Sequence, residues 1–187
     1  MKKVYTAEEY LALEEKAERK SEYYQGEIFA LAGGSSNHNL IAGNLHAELH
    51  QRLRAKPCRI YMSDMRLLVK PSGLYTYPDL MVVCGKPEFA PGRVDTLTNP
   101  VLIAEVLSES TRDYDRTRKF ALYRPLPTLR DYLLIDQSRL YLECLHRDER
   151  GQWVFDAYDQ PEDTLVIPSL EVEIALAEVY DKVEWPE

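Results

Sequence analysis

The chain has 187 residues, 31 Asp and Glu against 23 Lys and Arg, and a formal net charge of -8. That balance disfavours a simple basic nucleic-acid coat protein, whose footprint is a net positive domain. With 45% hydrophobic residues and 13 Tyr the composition also argues against a disordered acidic tail, and the length suits one domain, 1–187, with a real core.

The opening segment, MKKVYTAEEYLALEE, has two lysines and no apolar stretch behind them, so it does not read as a secretory signal. Thr6-Ala7-Glu8-Glu9 has the spacing of a capping box and predicts a helix to about Lys20. Gln25-Gly26 reads as a turn before an apolar strand, 27–32. Gly33 to Asn37 is a break rich in N-cap candidates. After it, Ile41, Leu45, Leu49 and Leu53 form a stripe that predicts a long amphipathic helix over 38–54. Residues 59–69 and 77–84 read as two strands of an antiparallel hairpin, with Lys70 to Gly73 as its turn. The nearly continuous apolar run in 100–108 suits a strand buried on both faces. A helix over 114–123, ended by Pro125, and a second buried strand at 132–135 complete a crossover unit. Residues 140–145 and 153–158 alternate as a hairpin, and 174–181 reads as a last short helix.

This order predicts an α/β (α+β) fold: a mixed sheet flanked by helices, with a core at about 20–146 and a C-terminal β-hairpin and tail at 138–187. No run of about 18 apolar residues occurs, so no membrane span is expected. Cys58, Cys84 and Cys144 are an odd set at wide spacings, expected to form neither a zinc site nor a disulfide framework, which makes a reducing cytoplasm the economical location.

The net charge hides an uneven distribution. Residues 52–70 carry six basic groups and one acid, and residues 112–130 carry six basic groups and two acids. These 38 residues are +9, and the other 149 are -17. Two solvated faces and a patch for a polyanion both account for that clustering.

The carboxylates set in apolar strands are more telling. Asp79 follows Pro78 and precedes Leu-Met-Val-Val, and Glu105 sits within Val-Leu-Ile-Ala-Glu-Val-Leu. A buried charge is costly unless it is paired or binds a metal. If 59–69 pairs with 77–84, Asp64 lies close to opposite Asp79. Hard oxygen ligands clustered this way suit Mg²⁺. A metal on Asp79 and Glu105 could activate a water and clamp a phosphate, and a nearby lysine, with Lys119 the candidate, would stabilise the developing charge. His46 and His50 lack the Glu of a zinc-protease helix and read as solvated. Cys84 has no evident base partner for nucleophilic work.

The Pro78-Asp79 pair and Glu105-Val106-Leu107 resemble the PD-(D/E)XK nuclease superfamily. More narrowly, the chain resembles the Uma-type restriction endonuclease family. The stretches that carry the resemblance are 21–28, His38, 77–83, 103–108 and Asp115…Lys119…Tyr123 leading to 131–136, in order over roughly 6–146. The resemblance implies a restriction-endonuclease-like core and a Mg²⁺- (or Mn²⁺-) dependent phosphodiesterase site. Its ligands would be Asp79, Glu105 and the backbone carbonyl of Val106. The superfamily's lysine would stand at position 107, which is Leu107 here, and Lys119 matches the lysine that replaces it in the narrower family. Glu22 and Glu27 match acidic positions that could serve a second metal or a water, with a surface or structural role equally open. For His38, capping and a place near the site are both open. Arg59, Arg66, Arg112, Arg116 and Arg118 are the candidate DNA contacts within the two basic segments. DNA is the expected partner, and a homodimer is expected by analogy with restriction enzymes. The rival readings are a nuclease-fold binding module without useful catalysis and a metal-dependent hydrolase of small phosphodiesters.

Overall fold

A computed structural model describes residues 3–109 and 111–185. The first helix, α1 (Ala7–Glu14), starts on the expected capping box, with Glu9 N–H donating to Thr6 and Thr6 N–H donating to Glu9. It is shorter than expected. The Glu14 carboxylate accepts from the backbone N–H and the hydroxyl of Ser21, which turns the chain into strand β1 (Ser21–Tyr24). Gln25 and Gly26, with φ of 48° and 85°, make the two-residue turn into β2 (Glu27–Ala30). Both central residues of such a turn need positive φ, which explains the glycine. Tyr10 of α1 stacks on Tyr23 at 5.2 Å and donates to the Ser21 carbonyl, pinning β1 in place.

Helix α2 (Ser36–Leu53) buries the predicted stripe of Ile41, Leu45, Leu49 and Leu53. Its N-cap is Ser35, whose side chain accepts from the His38 N–H. The stretch expected as one strand over 59–69 is two. Strand β3 (Cys58–Met62) and strand β4 (Arg66–Val69) belong to different sheets. The change of sheet falls at Ser63-Asp64-Met65, where the Met65 N–H donates to the Met62 carbonyl. The expected turn at 70–73 therefore joins β4 to β5 (Leu74–Thr76) rather than to β6 (Leu80–Cys84). Strand β3 does pair antiparallel with β6, from Cys58 opposite Cys84 to Met62 opposite Leu80. That register closes a disulfide between Cys58 and Cys84, which overturns the expectation of unpaired thiols. Cys144 is a buried free thiol.

After the short β7 (Thr96–Leu97), strand β8 (Leu102–Leu107) is buried at every position, as its apolar run requires. It pairs antiparallel with β6 and parallel with β9 (Asp131–Asp136). The connection between β8 and β9 carries the helical turns α3 (Arg112–Tyr114) and α4 (Phe120–Tyr123), joined through a wider π-helical turn at Asp115–Lys119. Strands β10 (Leu142–Arg147) and β11 (Trp153–Tyr158) extend the same sheet, and β12 (Thr164–Ile167) with β13 (Val172–Ala175) forms a C-terminal hairpin before α5 (Leu176–Val179).

The six-stranded sheet, in order β11-β10-β9-β8-β6-β3, separates two apolar clusters. Alternation sends Leu102, Ala104 and Val106 to the cluster under α2 and the C-terminal hairpin. It sends Ile103 and Leu107 to the other, with Tyr123 and residues of the five-stranded sheet β2-β1-β5-β4-β7. Glu105 shares the parity of Ile103 and Leu107, so it enters the second layer between the sheet and the helical connection. Among the described residues no helix is long and apolar enough to cross a membrane.

Candidate active site

Asp79 and Glu105 meet because of strand register. Leu80 of β6 faces Ala104 of β8, so Asp79 and Glu105 stand one step beyond that pair, where the two strands part. The Asp79 Oδ2 atom accepts the backbone N–H of Val106 at 2.8 Å, which ties the start of β6 to β8. Lys119 comes from the helical connection and reaches the same place. Its Nζ lies 3.1 Å from Glu105 Oε1, 3.2 Å from Glu22 Oε1 and 3.5 Å from Asp115 Oδ1, with the side chain only 7% exposed. The lysine absent from position 107 is thus replaced in space by one twelve residues further on. The π-helical turn, which puts Asp115 and Lys119 on one face, is a common device at functional sites.

Glu22, on β1, is buried and also accepts from the Thr76 hydroxyl of β5. The Tyr123 hydroxyl donates to Glu105 at 2.8 Å. Asp115, Tyr123 and Thr76 were not singled out as site residues by their sequence. The spacing of Asp115, Lys119 and Tyr123, four residues apart each time, is the signal that could have found the first two. Thr76 gives no such signal, because it reaches Glu22 only through sheet pairing.

Of the other expected residues, Asp64 is not brought to the site. It sits in the turn between the two sheets, exposed, and pairs with Lys20. Glu27 lies opposite Tyr24 in the β1–β2 hairpin, half-buried. His38 does reach the site: its Nε2 is 3.0 Å from Asp79 Oδ1. The five arginines diverge. Arg66 is buried, donates to the Tyr77 hydroxyl at 2.7 and 2.9 Å, and is closed off from a DNA backbone. Arg112 pairs with the buried Asp136 at 3.0 Å and Arg116 with Glu143 at 2.9 Å. Arg59 is exposed and donates to the Gly85 carbonyl. Arg118 is exposed and lies over the Tyr24 ring, 5.7 Å from its centre, beside the strand that carries Glu22. In the first basic segment Arg52 pairs with Glu48 and Glu178, and Lys56 with Glu171. Much of the basic clustering is therefore neutralised locally.

The electrostatics are dominated by crowding of acids. Burial pushes the Glu105 carboxyl up to about 8, partly offset by Lys119 and reinforced by Asp79 and Asp115. Burial also raises Asp79, against the Val106 N–H, His38 and Lys119, and raises Asp115 against Lys119. For Lys119, burial favours the neutral amine, but Glu105, Glu22 and Asp115 outweigh it and hold the group protonated. Lys119 is accordingly a fixed positive charge and not a base.

Four carboxylates around one ammonium leave an excess of negative charge, which a divalent cation would offset. Among the described residues no three His, Cys, Asp or Glu side chains enclose one point at ligand distance. Mg²⁺ takes only one or two carboxylates from protein and fills its shell with water and phosphate oxygen, so Asp79 with Glu105 fits it.

This fold and this carboxylate–lysine cluster define a protein of the restriction-endonuclease-like class. The chain belongs to the Uma2 family, whose description is "Putative restriction endonuclease" and whose model matches residues 7–177. Two proteins of Synechocystis sp. (strain ATCC 27184 / PCC 6803 / Kazusa), each described as uncharacterized, are similar along most of their length. One, sll1609, is 44% identical over 152 residues, 81% of this chain and 86% of its own. The other, slr1290, is 37% identical over 175 residues, 92% of this chain and 90% of its own. Among solved structures, "a putative nuclease belonging to DUF820" from Anabaena variabilis ATCC 29413 shares the fold with a TM-score of 0.78 at 18% identity, covering 94% of this chain and 97% of that one.

Proposed function

We propose that this chain is a Mg²⁺- or Mn²⁺-dependent endonuclease that hydrolyses DNA phosphodiester bonds. The observation that carries the reading is the 3.1 Å approach of Lys119 to Glu105, which supplies the lysine that Leu107 leaves out. Asp79 and Glu105, with the Val106 carbonyl at the next position, would hold the ion. When bound, such an ion acts as a Lewis acid on a phosphate oxygen and lowers the pKa of a bound water.

The chain's own residues then have separate tasks. The Val106 N–H fixes one oxygen of Asp79, so the carboxylate presents the other outward. Tyr123 and Lys119 orient Glu105 from behind. Lys119, held protonated in a site of low dielectric, offsets the charge that builds on the phosphate as the water attacks. Glu22 and Asp115 hold its ammonium in position without reaching the phosphate themselves.

One feature favours the rival reading of a binding module without catalysis: all three close partners of Lys119 are carboxylates, which hold it back from a phosphate. Supercoiled plasmid incubated with purified protein separates the two. Nicking that needs Mg²⁺ or Mn²⁺ and vanishes in Asp79→Ala supports the enzyme, and nicking no greater than that of Asp79→Ala contradicts it.

A further inference from the structure

We propose that His38 is a direct ligand of the same ion, through Nε2, and that it shifts the site's preference from Mg²⁺ toward first-row transition ions such as Mn²⁺. The inference rests on the metal-site reading above and adds to it a ligand and a selectivity.

The imidazole is placed with care for a residue at a helix start. Its Nε2 is shut off from solvent and makes no hydrogen bond, although Asp79 Oδ1 is only 3.0 Å away. The two atoms are close but the ring nitrogen's axis points past the carboxylate oxygen. An orphaned buried nitrogen beside a carboxylate normally costs free energy. Two donors whose axes meet at a third point explain it. Two neighbouring ligands of an octahedral ion with bonds of about 2.1 Å stand about 3.0 Å apart, the separation found here.

Three further contacts fix the ring. The Ser35 side chain caps the His38 backbone N–H, so the first turn of α2 is fixed independently of the imidazole. Ser35 also bonds Gln137, whose amide donates to the Leu107 carbonyl at 3.0 Å, linking this turn to the end of β8. Gly34 leaves the ring its space: a Cβ there would stand 2.5 Å from His38 Nδ1 and 2.9 Å from its Cγ. The chain thus spends a glycine, a cap and a buried amide on the placement of one imidazole.

The selectivity follows from donor chemistry. Carboxylates, a carbonyl and waters suit Mg²⁺, whereas imidazole nitrogen adds affinity for transition ions that Mg²⁺ does not gain. Calorimetric titration of the metal-free protein with Mn²⁺ and with Mg²⁺ tests this, using wild type, His38→Ala, His38→Gln and Asp79→Ala. Wild type should bind Mn²⁺ more tightly than Mg²⁺. His38→Ala should weaken Mn²⁺ by at least about tenfold, the loss that even outer-shell partners of a ligand cause, and leave Mg²⁺ nearly unchanged. His38→Gln, which keeps the volume and an oxygen donor, should behave likewise and answers the question if the alanine variant does not fold. Electron spin-echo modulation from nitrogen should appear on Mn²⁺ in wild type and vanish in both His38 variants. Equal losses for both ions, or unchanged binding with no nitrogen modulation in wild type, overturn the assignment of His38 while Asp79→Ala still abolishes binding. Binding of neither ion, or binding that Asp79→Ala leaves intact, overturns the metal-site reading itself.

Discussion

At the scale of single residues, the site works by opposing burial to charge. Glu105 is held where water would stabilise it least, and its carboxyl is pushed up to about 8. The folded chain therefore binds that proton more tightly than the unfolded chain, whose Glu titrates near 4.5. Its stabilising contribution is complete below about 4.5 and is lost as pH rises through about 8. In chelator, we expect Glu105→Gln to raise the melting temperature relative to wild type at pH 8.5 and to leave it nearly unchanged at pH 5. A wild-type advantage at the higher pH would show that Lys119 and Tyr123 fully compensate the buried charge. The same residue that function needs charged is thus one that the metal-free fold prefers neutral, an arrangement found where sites carry cost for activity.

At the scale of elements, the readable parts are those whose periodicity stays in phase. Helix α2 and strands β8 and β9 were legible because one stripe or one apolar run spans each of them. The division of 59–69 was not, although its signal exists: Ile60 and Met62 pack under α2, whereas Leu67 and Val69 pack on the other face. The alternation slips at Ser63-Asp64-Met65, and that slip removes Asp64 from the site. Strand β1 was hidden because the residues before it continue a helix-favouring composition, and the stop comes from Glu14 reaching Ser21. Asp79, Glu105 and Lys119 stood out as charges in or next to apolar strands, and Glu22 only through family resemblance. The Cys58–Cys84 bond was illegible for a different reason. It depends on the register of two strands whose cysteines lie 26 residues apart in sequence. Protein denatured without reductant should expose a single titratable thiol, Cys144, and all three after reduction. Three thiols without reductant would place Cys58 and Cys84 unbonded.

At the scale of the whole molecule, the net charge of -8 constrains how DNA could be held. The two basic segments are not an open patch, because Arg52, Lys56, Arg112 and Arg116 all carry carboxylate partners. Attraction to a polyanion must then come from a few exposed arginines and from cations bound among the site's acids. Arg118, exposed beside β1, and Arg66, buried under Tyr77, separate these roles. Arg118→Ala should weaken binding of a labelled duplex and lower its salt slope by about 1. Arg66→Ala should leave the slope unchanged and cost about 1–3 kcal/mol of stability, since it strips partners from buried polar groups. A reversed pattern would mean that DNA approaches a different face.

The central claim is that Lys119 supplies the positive charge for phosphodiester cleavage from outside the usual position, and single-turnover cleavage of a DNA substrate in Mn²⁺ tests it most directly. Lys119→Ala should fold and bind metal yet cleave about 10²- to 10³-fold more slowly than wild type, the range for removing one donor to a developing anion. Equal rates for the two proteins would contradict the account, since the lysine would then be a structural counter-ion for Glu22, Glu105 and Asp115 and nothing more.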